Sequence, residues 1–141
     1  MSKIEVNTIE TASGSTLTVG KSGDTVTLAS GASQSGFKAI DWQSVIHADG
    51  STVTTAEAGK GYIINTFSSA HTINLPTSPS AGDEIAFVDY AGTFGTNNVT
   101  VGRGGSNIQG VASNIVLNVD RRSVSFVYTD ATKGWVSVND N

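Results

Sequence analysis

The chain contains no cysteine, so disulfide bonds, thiolate nucleophiles and cysteine-based zinc sites are excluded. Charge is scarce as well: charged residues make up 14% of the 141 residues, and the net charge is −4 at pH 7. Binding to nucleic acid through its phosphates requires a basic patch, which the eight scattered Lys and Arg residues do not form. We therefore expect no nucleic-acid partner.

Long apolar runs and helical patterns are missing too. No run approaches the ~20 residues that a membrane-spanning helix requires, and the first residues, Met1–Glu5, are not followed by the apolar stretch of a secretory signal. No window repeats apolar residues at helical spacing over three turns. We expect synthesis in a cytoplasm, no membrane insertion, and a fold built from strands.

Reactive side chains are few. His47 and His71 are the only histidines, and no Gly-x-Ser-x-Gly motif supports a serine nucleophile beside them. The segment Gly14–Ser22 has five residues between its glycines, where a phosphate-binding loop has four. The acidic residues lack the spacing of a calcium-binding loop. We therefore expect no enzyme activity, no cofactor and no metal site.

In place of charge, the chain carries Ser, Thr, Gly and Asn, which separate short runs of alternating apolar residues. Such runs are typical of strands with one buried face, and their spacing of about 8–12 residues is typical of a β-sandwich or jelly roll. We predict strands at Asp41–Ile46, Ser51–Thr55, Tyr62–Asn65, His71–Leu75, Glu84–Asp89, Asn98–Val101, Ile115–Val119, Ser123–Thr129 and Trp135–Asn139. The predicted fold class is all-β, with an antiparallel β-sandwich or jelly-roll head.

The apolar positions of these runs predict the core of the head. We expect burial of Trp42, Val45, Tyr62, Ile64, Ile73, Leu75, Ile85, Phe87, Val99, Val101, Ile108, Leu117, Val124, Phe126, Tyr128, Trp135 and Val136. The segment Ala29–Gly36 has the composition of a linker. We therefore place a boundary there, with an N-terminal β arm and short stalk in residues 1–36 and the head domain in residues 37–141.

A short repeat precedes this boundary. Ser13–Val19 recurs nine residues later as Ser22–Leu28, and each unit predicts a turn followed by a short strand. One interpretation is an intertwined stalk of three identical chains, because a single strand of this length buries too little to be stable alone. The alternative is an ordinary hairpin, Ser15–Val19 with Thr25–Ala29, that packs on the head. For the stalk, the predicted oligomer interface consists of Leu17, Val19, Val26 and Leu28.

The first ten residues also alternate. Ile4, Val6 and Ile9 are apolar, and polar residues stand between the first two. The pattern predicts a strand without a local partner, and such an arm commonly adds to the edge of a neighbouring sheet. A frayed terminus is the alternative interpretation.

Several motifs follow one another in the second part of the chain: Tyr62–Thr66, Leu75–Arg103, Asn107–Gly110, Phe126–Tyr128 and Gly134–Val136. In this order they resemble a β module of tail fibres and other surface appendages of tailed bacteriophages, and the repeat is similar to the stalk of phage fibres. The resemblance implies a structural protein of the virion, assembled in the host cytoplasm, homotrimeric and bound to other virion proteins of the capsid or tail. It also implies that the N-terminal arm, with Ile4, Val6 and Ile9, attaches the protein to the virion.

Two functions are compatible with this resemblance. We expect a capsid decoration protein or head appendage, because a long tail fibre has more shaft than two nine-residue repeats. The alternative is a tail-fibre receptor-binding protein that adheres to host surface glycans through exposed aromatic residues. The candidate ligand loop contains Tyr90 and Phe94, and Phe67 and Trp135 are further aromatic candidates. Packing in the core or in a trimer is the other interpretation of these side chains.

Overall fold

The computed structural model describes residues 39–138 together with residues 9, 19–21, 24–27 and 30. The chain divides into two units, Met1–Phe37 and Lys38–Asn141. Every secondary-structure element in the described ranges is a strand, and these ranges contain no helix that is long and apolar enough to cross a membrane. The all-β class is therefore confirmed, whereas most of the predicted arm and stalk lies outside the described residues.

Ten strands form the second unit. They are β1 Asp41–Trp42, β2 Ile46–His47, β3 Val53–Thr55, β4 Lys60–Asn65, β5 His71–Asn74, β6 Glu84–Asp89, β7 Val99–Gly102, β8 Ile115–Leu117, β9 Ser123–Tyr128 and β10 Trp135–Ser137. Each predicted run contains or overlaps one of them, and the first predicted run divides into β1 and the start of β2. Alternating apolar residues between Gly, Asn and Pro therefore located the strands correctly.

The strands belong to two sheets. The first sheet has the order β1-β4-β6-β9-β10, with β2 also paired to β4, and the second sheet has the order β3-β5-β7-β8. From β2 to β7 the chain passes to the other sheet at every connection, and each strand then lies parallel to the preceding strand of its own sheet. The result is a stack of three turns, β2–β3, β4–β5 and β6–β7.

The last three strands pair antiparallel to their neighbours, in contrast to the parallel strands of the stack. β8 is antiparallel to β7, β9 is antiparallel to β6, and β10 is antiparallel to β9. The predicted antiparallel sandwich or jelly roll is therefore wrong in strand direction, since the two sheets are mixed. Parallel strands need a long crossover, and here each crossover is a strand of the opposite sheet. The coarser expectation of a two-sheet, sandwich-like β fold agrees with the structure.

The core lies between the two sheets. Its buried members are Ala56, Tyr62, Ile64, Ile73, Leu75, Ile85, Phe87, Phe94, Val99, Val101, Ile108, Leu117, Val124, Phe126 and Trp135. The register brings similar side chains of successive turns together: Tyr62 pairs with Phe87, and their ring centroids are 6.1 Å apart. Phe87 is also 6.1 Å from Phe126 of β9, so the aromatic packing continues across the closing strands.

Most of the predicted core is confirmed, with instructive differences. Trp42 is 49% exposed, because its register partner is Gly61 on the outer face of the first sheet, and the indole lies over this glycine. Val45, Tyr128 and Val136 are half-buried rather than buried. A glycine opposite an edge strand gives an aromatic ring an outer surface to cover, which periodicity alone does not reveal.

His71 is a polar residue in the apolar interior. It is 4% exposed, its Nε2 lies 2.9 Å from the Thr54 hydroxyl, and its Nδ1 is buried without a hydrogen-bond partner among the described residues. Burial lowers the pKa of His71 below its ordinary value, and the negative charge of Asp49 acts in the opposite direction without reversing the shift. The neutral imidazole is therefore the form that the fold accommodates.

We predict that His71 makes stability depend on pH. Because the folded-state pKa is lowered, the unfolded chain takes up a proton first as the pH falls below about 6.5, and the free energy of unfolding decreases there. This decrease ends below the folded-state pKa. Urea unfolding should show that the free energy of unfolding decreases between pH 7.5 and 5.5. His71→Gln should make this pH dependence smaller. The exposed His47→Gln should retain it, and an unchanged slope in His71→Gln would contradict the assignment.

Candidate functional site

A surface of loops forms where the parallel strands β2, β4 and β6 end. His47 is in register with Asn65, and the amide nitrogen of Asn65 lies 3.2 Å from Nδ1 of His47. One turn further along the stack, the backbone N–H of Tyr90 donates to the carbonyl of Ile64 at 2.9 Å. The stacking of turns therefore brings the ends of three strands, and the loops that follow β4 and β6, to one side of the unit.

Asp89, the last residue of β6, organises these loops. Its Oδ1 accepts hydrogen bonds from the backbone N–H groups of Gly92 at 2.9 Å and Thr93 at 3.2 Å. Its Oδ2 accepts from the N–H groups of Phe94 at 3.2 Å and Arg121 at 2.9 Å. The side chain is 8% exposed. A buried carboxylate requires such donors, so Asp89 fastens the loop of residues 90–98 to the turn before β9.

Further hydrogen bonds join the neighbouring loops. The Asn97 side chain donates to the carbonyls of Thr66 at 2.9 Å and Phe67 at 3.3 Å, and the hydroxyls of Thr66 and Thr93 lie 2.9 Å apart. On the other side, Asp120 accepts from the N–H of Gly95 at 2.6 Å. The loop after β4, the loop after β6 and the turn before β9 are therefore connected by side chains as well as by the strands.

This loop surface exposes two aromatic rings. Phe67 is 73% exposed and Tyr90 is 60% exposed. Phe94 lies on the same loop as Tyr90 but has no exposed surface, so its expected role as a surface ligand contact is corrected. The reason is local: the hydrogen bond from its N–H to Asp89 and its position among the core side chains direct the ring inward.

The other predicted site residues are distributed as follows. Ile9, Val19 and Val26 are exposed by 65%, 65% and 62%. Ile4, Val6, Leu17 and Leu28 lie outside the described residues. Trp135 is fully buried and packs edge-on against Tyr128, with ring centroids 5.5 Å apart. Sequence patterns missed Arg121, whose place beside the Tyr90 loop results from the Asp89 hydrogen bonds rather than from any spacing in the chain.

A cleft of about 190 Å³ lies beside the edge strand β8. Its lining consists of Gln109, Ile115, Val116, Leu117, Arg122, Val124, Phe126 and Ser137. Small-molecule sites are commonly about 300–1,000 Å³, so this cleft is smaller than a typical small-molecule site. In the described part of the chain, no three His, Asp or Glu side chains are placed to share a metal ion.

We predict that Asp89→Asn destabilises the domain by about 2–3 kcal/mol, because an amide cannot accept all four N–H groups and brings a donor toward donors. Chemical denaturation measures this change. Asp130→Asn is the matched control, since Asp130 is an exposed turn carboxylate that accepts from Thr132 and Lys133. The control should change stability by less than about 0.5 kcal/mol. Equal losses in the two variants would show that the four buried contacts add nothing.

Comparison with known proteins assigns no family to this chain. No protein-family model matches it, and no curated protein sequence matches it. The likeness to phage appendage modules therefore depends on the order of the sequence motifs between Tyr62 and Val136.

Proposed function

We propose that this protein is a structural protein of a tailed-bacteriophage virion. In this proposal it is a trimeric capsid decoration protein or head appendage, anchored to other virion proteins through its N-terminal segment. The observation that carries the proposal is the architecture of the second unit. Its turns stack on one another, and antiparallel strands pair with the last turn of the stack. Each stacked turn is stabilised by its contacts with the adjacent turns. Such a unit is suited to a rigid domain that projects from the virion.

The N-terminal residues supply a second argument. Ile9, Val19 and Val26 are exposed by more than half of their surface in the single chain. They belong to the alternating segment and the repeat that predict an arm and a stalk. Apolar side chains in short repeated strands are stabilised when neighbouring chains cover them. A trimer that shares these strands would remove this apolar surface from water.

The oligomeric state tests this proposal directly. Light scattering should give a trimer mass for the full-length protein and a lower mass for a chain that begins at Gly36. Val26→Asp should also reduce the mass, since an unpaired charge on the shared axis is costly. Val116→Asp is the matched control, because Val116 is a 51% exposed residue of the second unit. A full-length monomer, or a trimer that tolerates Val26→Asp, would contradict the stalk.

The position on the virion decides between the versions of the proposal. Imaging of phage particles with the protein labelled should place it over the capsid surface. Labelling of the tail alone would reject the decoration and head-appendage version. It would favour the second candidate function, a tail-fibre receptor-binding protein that adheres to host surface glycans.

The exposed aromatic residues favour that second candidate. Tyr90 and Phe67 project from loops that Asp89 and Asn97 hold in place, and rigid exposed rings are suited to pack against sugars. We expect Tyr90→Ala and Phe67→Ala to weaken binding of the folded protein to host cells or lipopolysaccharide, with unfolding free energies within about 0.5 kcal/mol of wild type. The exposed Val53→Ala, on the second sheet, serves as control. Unaltered binding in both aromatic variants would reject this surface.

A further inference from the structure

Arg121 has a backbone conformation that is costly for its residue type. Its φ is 59°, in the left-handed region, and among the described residues only Gln109 shares a positive φ without being glycine. A side chain in this region costs free energy that glycine would not. A conformation of this kind persists only where the surroundings enforce it, and such positions cluster at binding and catalytic sites.

The surroundings of Arg121 enforce its position. Its N–H donates to Oδ2 of Asp89 at 2.9 Å. Its side chain passes over Gly92, where an added Cβ would lie 3.2 Å from Cγ and 3.5 Å from Nε of the arginine. The missing side chain at Gly92 therefore leaves room for the arginine beside the loop that carries Tyr90.

The guanidinium of Arg121 is available to a ligand. The residue is exposed, and its guanidinium makes no hydrogen bond or ion pair with any residue that the structure describes. Of the carboxylates beside this turn, Asp89 accepts from four N–H groups, and Oδ1 of Asp120 accepts from the N–H of Gly95. The guanidinium therefore lies beside the loop that carries the exposed Tyr90, and it has no hydrogen-bond or ion-pair partner among the described residues.

We propose that Arg121, Tyr90 and Phe67 form a binding site for saccharides that carry a carboxylate or a phosphate. The rings pack against the apolar face of the sugar, and the planar guanidinium pairs with the anion through two parallel hydrogen bonds. This inference rests on the second candidate function and adds the charge of the ligand to it.

The overall charge of the chain makes a local cation necessary for such a ligand. The net charge is −4 at pH 7, so the long-range field does not attract an anion. At ~0.1 M salt, charges farther away than about 10 Å are largely screened. Selectivity for acidic sugars would therefore depend on Arg121 itself, and removal of this one cation should be decisive.

The test uses the full-length protein on an array of bacterial oligosaccharides. Each uronate-bearing or phosphate-bearing glycan is printed beside its neutral parent. We expect the acidic members to bind at least about tenfold more tightly than their parents, and Arg121→Gln to remove this difference. Lys133→Gln is the matched control, because it removes the same charge from another exposed turn and should leave binding unchanged.

A second variant separates binding from folding. Arg121→Gly relieves the cost of the positive φ, so its melting temperature should rise by about 4 °C while binding of acidic glycans is lost. If Arg121 only stabilised the fold, its replacement would not raise the melting temperature and abolish glycan binding at the same time. A fall in melting temperature together with lost binding would assign Arg121 a structural role and overturn the inference.

The remaining outcomes are distinguishable. Equal binding of acidic and neutral glycans, or an unchanged preference in Arg121→Gln, overturns the charge selectivity and leaves glycan adhesion standing. Absence of binding to every glycan by the folded protein overturns both the selectivity and the receptor-binding candidate. A preference confined to uronate-bearing or to phosphate-bearing members supports the inference and identifies the anion.

Discussion

The buried carboxylate of Asp89 is the contact on which the loop surface depends. It ends β6, accepts hydrogen bonds from four backbone N–H groups, and connects two segments that are about 30 residues apart in the chain. The same bonds direct Phe94 into the core and leave Tyr90 outside. One side chain thus couples the last turn of the stack to the turn before β9, and sets which aromatic ring of the loop faces solvent.

The stack itself is stabilised by apolar side chains of successive turns, which pack against one another between the sheets. Parallel register places residues of one turn over those of the next, as with Tyr62 and Phe87 or Ile73 and Val101. The outer face of the second sheet carries neutral residues instead, with the register row Val53, Thr72, Thr100 and Val116. In a chain with 14% charged residues, this division places the apolar core between the sheets and uncharged residues on the outer face of the second sheet.

The proposed functions make different demands on this architecture. A virion appendage needs a unit that transmits force and keeps its shape, which neighbour-to-neighbour stacking supplies. Adhesion needs side chains that are exposed yet immobile, which the loops beyond β4 and β6 supply through Asp89 and Asn97. The sequence predicts only part of the loop surface. It makes Tyr90 and Phe94 equal candidates for exposure or for packing, because both are aromatic residues of one loop, and it gives no sign of Arg121, which is remote from them in the chain.

The sequence by itself determined that the protein is all-β, where its strands lie, and most of the residues that are buried. Alternation and turn residues encode these properties locally, and core positions such as Ile64, Ile85 and Phe126 follow from a period of two. Only the tertiary structure decided the direction of pairing, since alternation is the same in parallel and antiparallel strands. It also decided the exposure of Trp42 and the position of Arg121, because both depend on what a distant segment places beside them: a glycine in one case and a carboxylate in the other.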